Sequence, residues 1–450
     1  MNRNDFTRVS LSAPTTESGH ASTPAVGAQA VITVRAVPTR VVRVAVVGAG
    51  TAGKAAALAA AGRGARVTLF DAGQRLPVPK SSWPSILSGD ERQPQRADDG
   101  DLTREGVEIS LGSSVTKASD DLTLTVGGRN PGFDGVVLST GSAFVPERLE
   151  GMRKRGVHVL DSLASFRDLR ERMRDYGKSA VCGSGPVAVE VAEKLRSRGV
   201  AVILLSPGGA LPMLNEGPRR VVLEALSSWG IEVCAAKPDR VVGVEAVEAV
   251  MASGEVYPCD SCVILPRTIP LVPEARAMLG RSGGLVVDES MQSSVPRLYG
   301  AGDCTEIHAG STTLSVMFES SATVMGSVAG ANAAGEKVSA KVVGSYFKEL
   351  LGVGIASSGF SLAEAVGLGL DVAEAKSGKG ESACSLVFRR GDNAIVGAQL
   401  AGKGIMRYAE SLALIVASGL TLRQLAYQET AVSSDISPIA EAAREGVWKI

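Results

Sequence analysis

The sequence predicts an α/β protein that contains two parallel-sheet units and is long enough for a third domain. Two segments, 41–73 and 179–208, each show the order strand, glycine-rich turn, helix, strand. The length of 450 residues favours about three domains of roughly 150 residues each. A hydrophobic fraction of 45% is enough to fill several cores.

The charge balance excludes some classes of partner. Lys plus Arg and Asp plus Glu both total 47, so the net charge is zero and neither nucleic acid nor an anionic membrane surface is an expected partner. No apolar run approaches the ~20 residues that span a bilayer. The six irregularly spaced cysteines do not form a disulfide framework and favour a cytoplasmic protein.

The first 40 residues are rich in Ser, Thr, Ala and Pro, and we expect a disordered tail. They lack the basic start and apolar core of a secretory signal. Arg3 and Arg8 are compatible with a transit peptide, an alternative that Asp5 and Glu17 weaken.

The first glycine-rich turn has the features of a dinucleotide site. In "VVRVAVVGAGTAGKAAALAAAGRGARVTLFDAG" (41–73), a β-branched strand precedes Gly48, Gly50 and Gly53, and an alanine-rich helix follows. Gly48 permits the tight turn, Gly50 the approach of a pyrophosphate, and Gly53 close helix–strand packing. The helix N-terminus favours phosphate, and Asp71 at the end of the second strand can accept from both ribose hydroxyls.

The second turn repeats this Rossmann pattern without its acid. In "SAVCGSGPVAVEVAEKLRSRGVAVILLSPG" (179–208), Gly183 and Gly185 precede the helix, and Glu190 stands one turn later. Ser206 occupies the position where a ribose-binding carboxylate is expected, and no arginine adjoins it to favour a 2′-phosphate. A βαβ unit that binds no nucleotide is the alternative.

With further motifs, the chain resembles the FAD-dependent pyridine nucleotide–disulfide oxidoreductase family over residues 41–450. "FDGVVLSTGSAFVP" (133–146) contains Thr140 and Gly141 and is similar to the family's Thr-Gly segment. "GGLVVDESMQSSVPRLYGAGDC" (283–304) contains Gly302 and Asp303 and is similar to its second flavin motif. The resemblance implies that Asp303 binds the ribityl chain of FAD and that NAD(P)H is the co-substrate.

The resemblance also implies a domain plan. Residues 41–152 and 266–335 would form a discontinuous FAD-binding domain, 153–265 a Rossmann-like NAD(P)-binding domain, and 336–450 an α+β interface domain. "GFSLAEAVGLG", "IVGAQLAGKG" and "ESLALIVASGLTLRQLAY" resemble the domain that pairs two subunits in relatives, so a homodimer is implied. A third domain that packs only on its own chain is the alternative.

The family's redox-active sulfur is missing. Relatives carry a reactive Cys on the helix after the adenosine-binding acid, and "SSWPSILSG" (81–89) places Ser81 at that position and Pro84 at the family's Pro. No cysteine precedes Cys182, and a hydroxyl cannot replace a thiolate in disulfide exchange. The C-terminal His-Glu couple of dithiol relatives falls on Ser433 and Pro438.

Two charged residues are predicted nearest to the isoalloxazine ring. In dithiol relatives, a Glu on the second turn's helix pairs with a Lys near the redox Cys; Glu190 matches that Glu, and Lys80 lies near the position of the Lys without matching it. Pro186 stands where several relatives have an aromatic gate.

Other reactive side chains are interpreted first as ordinary structural residues. Cys259 and Cys262 have metal or redox spacing but lead into an apolar strand, with no second pair to complete a zinc site. Cys182 and Cys304 are interpreted as small buried residues, His308 as a surface or capping residue, and Trp83 as a core residue.

The sequence therefore predicts a cytoplasmic, homodimeric FAD enzyme that oxidises NADH or NADPH. Its acceptor would be oxygen, a quinone, a dye-like small molecule or an electron-carrier protein. One alternative is a disulfide, polysulfide or CoA-disulfide reductase whose thiol comes from elsewhere, such as Cys304. A second is a catalytically degenerate paralogue that binds FAD for a structural or signalling purpose.

Overall fold

The computed structural model describes residues 40–89, 99–145, 148–310, 312–379, 381–429 and 437–448. The predicted tail up to residue 39 and Ser433 lie outside the described residues.

The first part of the chain builds a parallel sheet with a helix against it. Its elements are β1 (Arg43–Val47), α1 (Thr51–Ala61), β2 (Arg66–Phe70), a 3-10 helix (Lys80–Ser88), α2 (Asp99–Arg104), β3 (Glu108–Ser110), β4 (Val115–Ala118), β5 (Leu124–Val126), β6 (Gly135–Leu138) and β7 (Ser142–Val145).

The second part forms a unit of the same kind. Its elements are β8 (Val157–Val159), α3 (Leu163–Arg172), a short 3-10 helix (Met173–Asp175), β9 (Lys178–Cys182), α4 (Pro186–Ser197), β10 (Ala201–Leu205), α5 (Glu216–Ser228), β11 (Ile231–Cys234), β12 (Pro238–Val242), β13 (Ala249–Ala252), β14 (Glu255–Pro258) and β15 (Ser261–Ile264).

The chain then returns to the first unit. The elements of this part are β16 (Arg267–Pro270), β17 (Glu274–Ala275), β18 (Leu285–Val287), β19 (Leu298–Gly300), β20 (Thr305–Ala309), β21 (Thr312–Leu314) and α6 (Glu319–Ala333).

The last part is a separate layer of sheet and helices. Its elements are β22 (Ser345–Leu350), β23 (Val353–Gly359), α7 (Leu362–Gly367), β24 (Val372–Lys379), β25 (Ser382–Arg389), β26 (Ile395–Gly402), α8 (Met406–Ser418), α9 (Leu422–Ala426) and α10 (Pro438–Val447).

Two five-stranded parallel sheets form the two nested units. The first has the order β19-β6-β1-β2-β3 and the second β11-β10-β9-β15-β8, with parallel pairing throughout. β1 is buried from Val44 to Val47, which explains why its sequence is continuously apolar rather than alternating. The predicted fold of two Rossmann-like units is confirmed.

The insertion of the second unit is visible in strand pairing. β7 ends the first passage through the first unit, and β16 returns to pair with it in antiparallel register, Arg267 opposite Val145. Our predicted domain limits at 152/153 and 265/266 fall in the connections before β8 and after β15. We retain those limits as a proposal.

The C-terminal part is an antiparallel sheet of order β22-β23-β26-β25-β24, covered by helices. It docks on the second unit through buried amide groups. Asn215 donates from Nδ2 to Ser385 Oγ at 2.7 Å, and the Asn215 N–H donates to Gln399 Oε1 at 2.6 Å. These satisfied polar contacts hold the two domains in a defined arrangement.

None of the helices within the described residues is long and apolar enough to cross a membrane.

In the first unit, α1 and α6 touch through their backbones. A Cβ at Gly326 would lie 2.1 Å from Ala52 O, and one at Gly330 would lie 2.1 Å from Ala56 O. Small residues are therefore required on both helices at this contact.

We expect Gly330→Ala to lower the free energy of unfolding by about 1–3 kcal/mol, because the added methyl group overpacks a backbone contact. Thermal unfolding would measure this. Gly367→Ala is the matched control, since a Cβ at Gly367 meets nothing within 4 Å. Equal melting temperatures for the two variants would contradict the close contact.

Candidate active site

The β1–α1 turn has no room for side chains at two of its three glycines. Gly48 has φ +99°, and a Cβ there would lie 2.3 Å from Ser139 O. A Cβ at Gly53 would lie 1.8 Å from Gly48 O. Ser139 closes the turn by donating from Oγ to Val47 O at 3.0 Å and to Gly48 O at 2.9 Å. These contacts fix the direction in which α1 leaves the sheet.

The third glycine of the turn faces open space. Gly50 precedes α1 with φ −65°, and a Cβ there meets nothing within 4 Å. No side chain caps the first N–H groups of α1, and its first turn contains no acidic residue. An open backbone at an uncapped helix N-terminus fits the pyrophosphate of a dinucleotide.

Asp71 lies beside this turn at the carboxyl end of the sheet. Its Oδ2 accepts from Ala49 N and its Oδ1 from Gly73 N, both at 2.8 Å. Each carboxylate oxygen has two acceptor sites, so both keep capacity for a ribose hydroxyl. The predicted role of Asp71 stays a proposal that this geometry permits.

Asp303 and Lys80 meet through Ser142. Ser142 Oγ donates to Asp303 Oδ2 at 2.8 Å, while Lys80 Nζ donates to Ser142 O at 2.7 Å and to Ser142 Oγ at 3.1 Å. Burial lowers the pKa of Lys80, and the Asp303 carboxylate opposes that shift. A cation and an anion are thus held together where the sequence places the flavin.

The backbone around this group turns through left-handed conformations. Gly141 has φ +72° and Gly302 has φ +78°. Thr140 Oγ1 donates to Leu271 O, which ties the Thr-Gly segment to the returning chain. A Cβ at Gly302 would lie 2.9 Å from the Ala52 Cβ, so this glycine brings Asp303 close to α1. The four predicted residues Thr140, Gly141, Gly302 and Asp303 all follow the carboxyl ends of the neighbouring strands β6 and β19.

The stretch that lacks the family's sulfur forms the 3-10 helix Lys80–Ser88. The Ser81 hydroxyl donates to the carboxylate of Glu319, the first residue of α6. Trp83 packs between Phe144 and Phe166, with ring centroids at 5.9 and 6.1 Å. Glu319 was missed by the sequence analysis, since nothing in its neighbourhood marks it as close to residue 81.

The second glycine turn repeats the first in weaker form. A Cβ at Gly183 would touch the Leu265 Cβ at 3.0 Å, whereas a Cβ at Gly185 meets nothing within 4 Å. Ser206 is buried, with 4% of its surface exposed, so its hydroxyl offers a ribose little contact. Arg219 donates to Gly208 O and, at 2.9 Å, to Ala210 O, which holds the loop after β10.

Glu190 has a different partner from the one suggested by dithiol relatives. Its Oε2 lies 2.9 Å from Lys348 Nζ, on β22 of the C-terminal domain. Lys80 instead bonds to Ser142. Glu190 is buried; burial raises its pKa, and Lys348 opposes that shift. The resemblance suggested Lys80 as the partner of Glu190. The actual partner, Lys348, lies on a later domain and could not be found from its position in the chain.

Cys304 is poorly suited to redox chemistry. Cys304 is fully buried, its Sγ contacts Leu138 O and Ala301 O at 3.4 Å, and burial raises its pKa. Cys262 lies in β15 with Sγ 3.8 Å from that of Cys182. Among the described residues, no group of three or more His, Cys, Asp and Glu side chains could hold a metal ion.

Two histidines outside this region have structural surroundings. His158 is buried between the Asp168 carboxylate, 3.1 Å from Nδ1, and the Tyr176 hydroxyl, 2.8 Å from Nε2. His308 is exposed on β20.

Comparisons with known proteins found a matching family model and several similar proteins. The model of the pyridine nucleotide-disulphide oxidoreductase family matches residues 42–335. An NADH oxidase of Methanocaldococcus jannaschii is 28% identical over 71% of this chain and 76% of its own. An NAD(P)H coenzyme A polysulfide/persulfide reductase of Pyrococcus horikoshii is 22% identical over 75% of this chain and 81% of its own.

Among solved structures, an NAD-dependent persulfide reductase from A. fulgidus has the same fold. Its TM-score is 0.81 at 22% identity, covering 90% of this chain and 83% of that one.

We expect Gly50→Val to give folded protein that lacks bound FAD. The backbone at Gly50 suits any residue and the new side chain meets no protein atom, but it would fill the space for the pyrophosphate. Absorbance of the purified variant near the flavin bands, with circular dichroism as the test of folding, measures both effects. Gly53→Ala is the contrasting variant and should lose the fold itself. A folded Gly50→Val protein with full FAD content would refute the site.

We expect weak discrimination between NADH and NADPH. A carboxylate at position 206 would add about 1.5–3 kcal/mol of binding free energy for each charged hydrogen bond to the ribose. Ser206 cannot make a charged hydrogen bond. The ratio of the two kcat/KM values measures this. A preference above roughly a thousandfold, ~4 kcal/mol, would place the ribose clamp elsewhere, with Arg219 and Arg220 the first residues to replace.

Proposed function

Because this chain belongs to the pyridine nucleotide-disulphide oxidoreductase family, we propose that it passes electrons from its flavin directly to an acceptor, with no protein thiol between them. It is an FAD-dependent NAD(P)H oxidoreductase. FAD supplies the hydride and electron chemistry when bound, and the protein positions and shields it. We propose that Gly48, Gly50, Gly53 and Asp71 bind its adenosine and pyrophosphate half.

The observation that carries this proposal is the Ser81–Glu319 hydrogen bond. By the resemblance, Ser81 stands where relatives carry their thiol, and its hydroxyl contacts the carboxylate of Glu319. A carboxylate raises the pKa of a neighbouring thiol, so this environment would oppose a thiolate even if a cysteine were present.

The acceptor that we favour is oxygen or a quinone, with an electron-carrier protein as another candidate. The similarity to an NADH oxidase supports a small acceptor. Pro186 leaves no aromatic side chain at the start of α4, which favours an accessible flavin.

The similarity to a coenzyme A polysulfide/persulfide reductase supports sulfur reduction as a second candidate. It requires a reactive thiol. Cys304 is the native thiol that we considered for this role. Its burial raises its pKa, which argues against the role because the thiolate is the reacting form.

We propose a homodimer formed through the C-terminal domain. Two large apolar side chains of α8 are exposed, Met406 by 62% and Leu414 by 69%, as expected of a surface that a second subunit covers. The cysteine usage supports a cytoplasmic location.

Replacing all six cysteines by Ser or Ala should leave flavin reduction by NAD(P)H within about tenfold of the parent, a barrier change near 1.4 kcal/mol. Anaerobic stopped-flow absorbance measures this rate, and turnover with a quinone measures the acceptor half. One native Cys→Ser change that abolishes turnover, or rapid disulfide reduction by the parent, would refute direct transfer.

Reinstating the thiol as Ser81→Cys should give little long-wavelength charge-transfer absorbance at neutral pH, since Glu319 keeps the thiol protonated. Combining it with Glu319→Gln should lower the pKa of the new thiol, because the uncapped N-terminus of α6 then favours the thiolate. The absorbance of the double variant should therefore persist to lower pH. Identical pH titrations for the two variants would contradict the Ser81–Glu319 contact.

A further inference from the structure

The N-terminal end of α6 lies beside Asp303. A Cβ at Gly302, the residue before Asp303, would lie 3.7 Å from the Cβ of Ala322, near the start of α6. Glu319 begins this helix and accepts a hydrogen bond from the hydroxyl of Ser81. The start of α6 and the 3-10 helix therefore meet beyond the carboxyl ends of the first sheet, which is where parallel α/β sheets bind their ligands.

Contacts from the C-terminal domain hold the start of α6 in place. Ser320 donates from Oγ to the Ser345 carbonyl at 2.8 Å. The Phe318 ring packs against that of Tyr346, with ring centroids 5.9 Å apart. The residues on both sides of Glu319 are thus anchored to β22. The carboxylate of Glu319 therefore has a defined position, although the residue is exposed.

Glu319 carries a charge that no described cation pairs with. Two lysines in this region already have a carboxylate each. Lys80 faces Asp303, whose charge opposes the lowering of the lysine's pKa by burial. Lys348 Nζ lies 2.9 Å from Glu190 Oε2. Within the part of the chain that the structure describes, Glu319 forms no ion pair, and its hydrogen-bond partner is a neutral hydroxyl.

We propose that Glu319 selects electron acceptors by charge, favouring neutral and cationic acceptors over anionic ones. This inference rests on the proposed function, because it takes the flavin to lie at this edge of the sheet and to pass its electrons to an acceptor beside Ser81. A fixed carboxylate attracts cations and repels anions over about one Debye length, ~10 Å at 0.1 M salt. Glu319 therefore determines specificity without having to touch the acceptor.

The experiment compares three small acceptors under anaerobic conditions with NADH as the donor. Ferricyanide is a trianion, p-benzoquinone is neutral and hexaammineruthenium(III) is a trication. The quinone takes up a hydride equivalent and one proton from water to become the hydroquinone. Each metal complex takes one electron, so two of them reoxidise one reduced flavin and a proton is released to water.

Glu319→Gln should raise kcat/KM for ferricyanide and lower it for hexaammineruthenium(III). The ratio of the two values should change by about tenfold at low salt, because each acceptor carries three charges. The change should shrink as salt is added, since the interaction is screened. Turnover of p-benzoquinone should stay within about twofold of the parent. An unchanged ratio would overturn the proposal.

Two matched variants separate the local charge from other effects of the substitution. Glu319→Asp keeps the charge and should keep the ratio of the parent. Glu336→Gln removes a carboxylate just beyond the far end of α6, a helix of 15 residues and therefore about 22 Å long. At that distance the charge is screened, so the ratio should not change. An equal change in Glu319→Gln and Glu336→Gln would refute a local role.

The reductive half-reaction shows which side of the flavin the charge acts on. The rate of flavin reduction by NADH, measured by stopped-flow absorbance, should stay within about twofold in Glu319→Gln. Faster reduction with an unchanged acceptor ratio would place Glu319 on the nucleotide side and refute the proposal.

Failure of the proposed function would give a different result. If replacing the six cysteines abolishes turnover with all three acceptors, electrons pass through sulfur, and acceptor selection by Glu319 falls with direct transfer. If quinone turnover survives that replacement and Glu319→Gln still leaves the ratio unchanged, only the role of Glu319 is wrong.

Discussion

The close approach of backbone to backbone at the β1–α1 turn is the constraint on which the site depends. Gly48 and Gly53 leave no space between the turn, α1 and the Ser139 carbonyl, so the helix can leave the sheet in only one direction. The same closeness continues along α1, where Gly326 of α6 meets the backbone at Ala52. Asp71 follows the carboxyl end of β2, and the Ser142–Asp303 pair lies beyond the carboxyl ends of β6 and β19, strands that these contacts hold in place.

In the second unit the glycine turn is packed less tightly against backbone, and contacts from the C-terminal domain help to hold the unit in place. Gly183 faces the Leu265 side chain rather than a backbone oxygen, and a side chain can shift where a backbone cannot. The orientation of this unit is fixed instead by polar contacts from outside it, through Asn215 at α5 and Glu190 at α4. The second unit is therefore tied to the third domain by buried polar contacts.

Local patterns allowed the fold and the glycine turns to be predicted, because strand, glycine and helix follow one another within about thirty residues. The open backbone at Gly50 and the position of Asp71 were predictable for the same reason. Lys348 and Glu319 were not, since each meets a residue far away in the chain: Glu190 is 158 residues from Lys348, and Ser81 is 238 residues from Glu319. Such pairs depend on how domains dock, which no spacing rule records. The burial of Ser206 was not visible in the sequence either, and its role in nucleotide binding stays a prediction.

The burial of the cysteines has a consequence for the durability of the enzyme. Two-electron reduction of oxygen yields hydrogen peroxide, which attacks thiolates first and converts an exposed catalytic cysteine to sulfinic acid irreversibly. Here five of the six cysteines are buried, and Cys234, which is only partly buried, has its pKa raised chiefly by desolvation. An oxidase of this design would carry no thiol at its reaction centre for its own product to inactivate. Without that sulfur, the enzyme would turn over in air with no need for a separate reductant to restore an oxidised catalytic cysteine.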